Sequence, residues 1–218
     1  MEFQTTTRIA GASSQRALLA CGMWVAPVFY GLAVLQLLLR PEFDLRALPI
    51  SYLALGELGW IQVGSFILSG LFAILCAVGL KAWLKGQRGG TWGPILVGLF
   101  GVGTVMAGLF PPDPFPKAGE TPTMSVPGAL HMLAFFLAFL SLIAACFVFA
   151  RRFFALKQGG WALYSMATGI LVPVLIGLGM SNPASASVIV AGAGLVLFGW
   201  LGVLSWRMRS GGVVRPAA

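Results

Sequence analysis

Six stretches of twenty or more residues run through this chain without a single Lys, Arg, Asp or Glu: Ala17–Leu39, Ile61–Leu80, Thr91–Phe110, Val126–Ala150, Trp161–Met180 and Ala186–Trp206. An α-helix needs roughly 20 apolar residues to cross the hydrocarbon of a bilayer, so each stretch is long enough. A membrane β-barrel would show strands of about 10 residues with alternating polarity, and no such alternation is present. Only 9% of residues are charged and the mean hydropathy is +0.92, whereas soluble domains carry about a quarter charged residues. The reading is all-α: a polytopic six-transmembrane-helix bundle over residues 17–206, between a polar N-terminal tail (1–16) and a basic C-terminal tail (207–218). Arg8 and Arg16 imitate the basic start of a signal peptide. The apolar run behind them spans 23 residues, beyond the roughly 7–15 of a signal-peptide core. The following Leu-Leu-Leu-Arg-Pro offers no small-residue cleavage site, so the first segment reads as a retained helix.

The charges divide between the two ends. With both termini on one side, that side holds Arg8, Arg16, Lys81, Lys85, Arg88, Arg151, Arg152, Lys157, Arg207, Arg209 and Arg215. The other side keeps Arg40, Arg46 and Lys117, together with Glu42, Asp44, Glu57, Asp113 and Glu120; only Glu2 joins the basic side. The positive-inside rule then expects cytoplasmic N and C termini, a multi-pass protein of the inner (plasma) membrane, and carboxylates facing outward. A pI of 10.1 does not signal nucleic acid, because the basic residues sit in short loops beside helix ends. They serve as topology determinants and contacts for anionic lipid headgroups. The expected partners are membrane lipids and a membrane-protein partner or second copy of the chain, with no nucleic acid.

Small residues mark the helix faces. Ser65, Ser69, Ala73 and Ala77 recur every four residues in the second segment, as Ser165, Gly169, Pro173 and Gly177 do in the fifth. Gly93, Gly98, Gly101, Gly103 and Gly108 punctuate the third. Such stripes let backbones approach closely inside a membrane. No G-x-G-x-x-G follows a strand, so these glycines are not read as a nucleotide loop. Cys21, Cys76 and Cys146 lie in three different segments and read as small buried residues. One His without suitable Cys makes no usual zinc or haem site, and neither metal nor cofactor is expected. No ionisable group lies near the middle of a segment, which disfavours ion transport and proton pumping. No G-x-S-x-G marks a serine hydrolase.

What remains gathers at the outer ends of the segments. Glu57 precedes the second, Asp113 follows the third, and His131 opens the fourth. A carboxylate beside a partly buried His is an acid/base pair in which the carboxylate orients the ring and the ring moves the proton. Glu57, Asp113 and His131 are therefore the candidate catalytic residues. Trp60, Phe110 and Phe115 beside them, and the intramembrane amide Gln36, are candidate ligand contacts. The competing expectation is structural: Asp113 caps a proline turn, Glu57 is solvated, and His131 bonds loop backbone. The loop Arg40–Gly59 is apolar enough to fold back, and Pro111–Pro127 carries prolines that stiffen it. Both loops are expected to roof a pocket that brings Asp113 or Glu57 to His131.

The runs I-S-Y-L-A-L-G-E-L-G-W-I-Q (50–62), G-L-F-G-V-G-T-V-M-A-G-L-F-P-P-D-P (98–114), G-A-L-H (128–131), A-A-C-F-V-F-A-R-R-F (144–153) and G-W-A-L-Y-S (160–165) occur in that order. Together they resemble domain-of-unknown-function family 998, bacterial integral membrane proteins with six helices. The resemblance spans about residues 20–205. It implies the same topology and no particular activity. Two functions stay open: a membrane protein binding or acting on an amphipathic lipid or isoprenoid from an outward-facing pocket, or a non-catalytic accessory or structural subunit of a membrane complex. Whether the chain is an enzyme is left open by its sequence.

Overall fold

The computed structural model describes residues 2–115, 121, 123–182 and 184–211, with side chains from Ser13 onward. The described chain is helical throughout: α1 (Glu2–Leu39), α2 (Gly59–Trp83), α3 (Trp92–Leu109), α4 (Val126–Ala155), α5 (Gly159–Ser181) and α6 (Ala186–Arg209), with a short 3₁₀ turn at Ile50–Ala54. All six helices are long and apolar enough to cross a membrane. Residues 2–16, read from sequence as a polar tail, continue α1 without a break. The basic residue Arg215 of the C-terminal tail and the loop residues Lys117 and Glu120 lie outside the described residues.

The helices pack in chain order, α1 on α2, α2 on α3 and so on, and α6 returns onto α1 to close a ring. Small residues set the closest approaches. A methyl group on Gly70 would meet the Gly101 carbonyl oxygen at 2.7 Å, and one on Gly101 would meet that of Gly70 at 2.7 Å. The α2–α3 crossing is thus backbone against backbone, the contact that drives association where no hydrophobic gradient exists. On the other side of α2, Ser65 and Ser69 are buried and donate to the carbonyls of Phe29 (3.2 Å) and Val25 (3.3 Å) on α1. The centre is aromatic. Phe29 stands edge-on to Phe66 and Phe198, both at 5.2 Å, and Phe100 to Phe198 at 4.9 Å. Edge-to-face geometry suits the ring quadrupole.

The helix-five stripe splits in two. Ser165 is buried and accepts from Trp200 Nε1 on α6 at 3.1 Å. A methyl on Gly169 would press on the Phe147 ring of α4 at 3.0 Å. Pro173 and Gly177 are exposed, and a methyl on Gly177 would meet nothing within 4 Å. The expected packing role of Gly177 is therefore not found.

Candidate functional site

At the end of the bundle where α3 finishes and α4 starts, a cavity of about 430 Å³ opens between five helices. Its floor and walls are aromatic: Phe29 and Tyr30 from α1, Phe66 from α2, Phe135 and Phe139 from α4, and Phe198 from α6. Two loops form its mouth. Pro49–Tyr52 bends over it as the 3₁₀ turn begins, and Pro112 and Asp113 border it after α3. Met124 and Met132 line it while remaining 71% and 46% exposed, so the cavity opens to the surface past them.

The first loop holds its position through Gln36 of α1 and Arg40 just beyond it. Gln36, fully buried, donates from Nε2 to the carbonyls of Leu53 (2.7 Å) and Leu58 (2.8 Å). Arg40 donates from Nη1 to Leu55 O at 2.9 Å and from Nε to Glu42 at 3.1 Å. Leu53 of this loop is wholly buried. An unpaired amide in apolar surroundings is costly, and Gln36 Nε2 and the loop carbonyls satisfy each other, while the buried Gln36 Oε1 has no partner. Gln36 therefore ties down the loop and does not line the cavity.

Asp113 holds the second loop. Its carboxylate accepts from Ser125 N at 2.9 Å and from the Ser125 hydroxyl, while Ser125 Oγ accepts from Gly128 N at 3.1 Å. Ser125 is thus an N-cap whose own backbone N–H and hydroxyl are both given to Asp113, with Pro127 in the first turn. An N-cap oxygen answers one of the orphan N–H groups at a helix start. The carboxylate lies so close over Gly128 that any Cβ there would collide with it. The hydrogen bonds from the Ser125 hydroxyl and backbone hold the Asp113 carboxyl below the usual value of 3.8. Asp113 is consequently an ionised acceptor.

His131 lies one turn further along α4, 8% exposed, with its ring edge-on to Phe66 at 6.0 Å. Its Nδ1 faces two backbone carbonyls at the end of α3, Phe110 O at 2.7 Å and Ala107 O at 3.1 Å. Carbonyls only accept, so Nδ1 carries the hydrogen, and in the neutral ring Nε2 is left as an acceptor. The expected link from Asp113 or Glu57 to His131 is direct or through one shared water; no direct hydrogen bond joins them, since Asp113 bonds Ser125 and His131 bonds backbone. Asp113 and His131 share the cavity.

The other sequence candidates are placed elsewhere. Glu57 and Trp60 are exposed, Trp60 at 70%, and neither lines the cavity. Phe110 contributes its carbonyl oxygen and not its ring. Phe115 stacks on Tyr52 at 4.9 Å, outside the lining. Tyr30, Tyr52, Phe66, Phe135, Phe139 and Phe198, the walls themselves, were passed over. For the helical ones, the signal was aromatic clustering in the same-end halves of α1, α2 and α4. Among the described residues, no three His, Cys, Asp or Glu side chains gather as a metal-holding group.

No curated protein and no solved structure is similar to this chain. A family model described as "Protein of unknown function (DUF998)" matches residues 23–207, from within α1 nearly to the end of α6. That span contains the whole cavity and both loops at its mouth, and the chain belongs to the DUF998 family of multi-pass membrane proteins.

Proposed function

We propose that the cavity binds an amphipathic lipid or isoprenoid whose head is an uncharged or cationic hydrogen-bond donor, such as a hydroxyl or an amine. One observation carries this reading: the walls are aromatic, and the mouth holds two groups that only accept, beside the hydroxyls of Ser51 and Tyr52, which can do either. Asp113 is an ionised carboxylate, and His131 offers Nε2 once Nδ1 is spent on carbonyls. An anionic head would meet the Asp113 charge, whereas a hydroxyl or ammonium would donate to both groups. The volume falls in the range of roughly 300–1,000 Å³ common to small-ligand sites. The basic loops at the opposite end support an outward-facing mouth in the plasma membrane with cytoplasmic termini, by the positive-inside rule. For any proton transfer at this site, His131 Nε2 is the group suited to receive a proton from the bound head.

Purification in mild detergent, followed by mass spectrometry of the extracted small molecules, tests the proposal. Wild type should carry one amphipathic species in stoichiometric amount. Ala191→Phe, which projects a ring from α6 into the cavity, should reduce its retention about tenfold or more. Equal retention in both proteins would remove the cavity as a binding site. A stoichiometric protein partner without lipid would favour the accessory-subunit reading instead.

A further inference from the structure

The opposite end of the bundle holds a second cavity, of about 460 Å³, bordered by Gln87, Arg88, Thr91, Trp92, Arg151 and Arg152. From sequence, the loops here read as connectors with lipid contacts at their surface. The structure gives them an interior. Arg152, in the last turn of α4, is only 2% exposed. It donates from Nη1 to Arg88 O at 2.6 Å and from Nη2 to Gln87 Oε1 at 2.7 Å, both neutral acceptors. A guanidinium has five N–H groups, and the buried Nε has no partner. The described carboxylates, Glu42, Asp44, Glu57 and Asp113, all belong to the other end. Among the described residues the one ion pair is Arg40–Glu42.

A buried cation without a counterion is costly, and neutral acceptors offset only part of the cost of taking it out of water. Here two further arginines, Arg88 and Arg151, border the same cavity and raise its positive potential. The start of α3 adds only its dipole: Gly93 N–H is bonded to Gly89 O at 3.0 Å and Pro94 has no N–H, so the arginines supply the donors here. Three guanidiniums form a donor set that an oxyanion with several oxygens satisfies, and planar guanidiniums suit phosphate geometry. Trp92 at the rim is 64% exposed, an interfacial aromatic that sets the cavity at headgroup depth.

We infer that this cavity binds a phosphate group, from an anionic phospholipid headgroup or from a soluble phosphate, with Arg152 as the buried anchor and Arg88 and Arg151 as outer clamps. The full-length protein, stripped of lipid in detergent, can be titrated with phosphatidylglycerol, phosphatidylcholine and inorganic phosphate and read by native mass spectrometry. Phosphatidylglycerol should bind wild type more tightly than phosphatidylcholine by about tenfold or more, the loss expected when charge-assisted contacts are missing. Arg152→Gln should lose that preference. Because Arg152 also ties α4 to the α2–α3 loop, the doubly exposed variant Arg88→Gln/Arg151→Gln provides the control. It should keep the wild-type melting temperature without lipid and lose the preference as well. Tighter binding of inorganic phosphate than of phosphatidylglycerol, with the same dependence on the arginines, would assign the site to a soluble phosphate. Equal retention of both lipids by wild type with no phosphate binding, or an undiminished preference in the folded double variant, would overturn the inference.

Discussion

The two ends of the bundle hold cavities of nearly equal size, about 430 and 460 Å³, built from opposite chemistry. Where α3 ends, the walls are aromatic and the mouth carries a carboxylate and an imidazole nitrogen, both acceptors, with the hydroxyls of Ser51 and Tyr52. Where α3 begins, the cavity is bordered by three arginines, all donors. In each case the local secondary structure spends one kind of capacity and leaves the other. The carbonyls closing α3 consume the His131 donor, and the start of α4 consumes part of the Asp113 carboxylate. At the far end, the Gln87–Arg88 loop takes two N–H groups of Arg152 and leaves the rest without a counterion among the described residues. Helix termini thus decide the polarity of each cavity, and a ligand suited to one is unsuited to the other.

The largest expected effect is on which end faces which side. In a chain whose three native cysteines are replaced by alanine, a cysteine at exposed Glu57 should react with an impermeant reagent on intact cells. One at exposed Arg88 should react only after permeabilisation. Both positions are accessible in the structure, so the contrast should be all-or-none. The reverse pattern would turn the aromatic cavity toward the cytoplasm and exchange the surroundings of the two sites.

Next in size is the seam that holds the ends together. Gly101→Leu places a side chain against the Gly70 carbonyl oxygen, which lies 2.7 Å from the position of its Cβ. Overpacking typically costs about 1–3 kcal/mol, and backbone cannot yield as a side chain can, so a loss at the upper end of that range is expected in detergent unfolding. Gly177→Leu, which meets open space, should leave the midpoint unchanged. If both variants unfold alike, the ring does not depend on the α2–α3 crossing.

At the mouth of the aromatic cavity, Gly128→Ala should displace Asp113 and loosen Ser125 as a cap. Loss of a helix cap costs about 0.5–2 kcal/mol. Because Asp113 borders the cavity, ligand retention should fall along with stability. A stable variant that loses ligand would separate the carboxylate's binding role from its capping role, and one that loses neither would show that the chain relaxes around the new methyl group.

The helices were legible because charge-free length is a strong signal when lipid is the solvent. The stripe Ser65, Ser69, Ala73, Ala77 pointed correctly to the buried face of α2. The site was legible only in part. Asp113 and His131 were found because ionisable groups are scarce in such a chain, yet their partners are backbone groups and a serine whose roles depend on how two helix ends meet. Glu57 and Trp60 looked equivalent to them along the chain and turn outward in space. Adjacent Arg151 and Arg152 also look alike in sequence. Arg152 shares the helical face of Ala145, Cys146 and Phe149, all buried, and that spacing was the available sign of its burial.

The smallest effect separates the two ends by pH. Asp113 is the described carboxylate that joins the mouth of the aromatic cavity to a helix start, and among the described side chains no carboxylate has that role at the arginine end. Its folded-state pKa is depressed below the ordinary 3.8 by hydrogen bonds from Ser125. A depressed carboxylate contributes stability that is fully present above its unfolded value and is lost as pH falls through the folded one. The contribution should therefore be constant at neutral pH and disappear only below about 3.8. Thermal midpoints measured from pH 7 downward should fall for wild type in that acid window. In Asp113→Asn that component should be absent, with the midpoint already lower at neutral pH because an amide accepts the Ser125 bonds more weakly. The carboxylate is solvent-accessible, so the difference should be small. Phosphatidylglycerol preference at the arginine end should not change between the two proteins at any pH where both stay folded. A parallel loss at both ends would mean that the loop carrying Asp113 is coupled through the bundle to Arg152, and the two cavities would then have to be treated as one system.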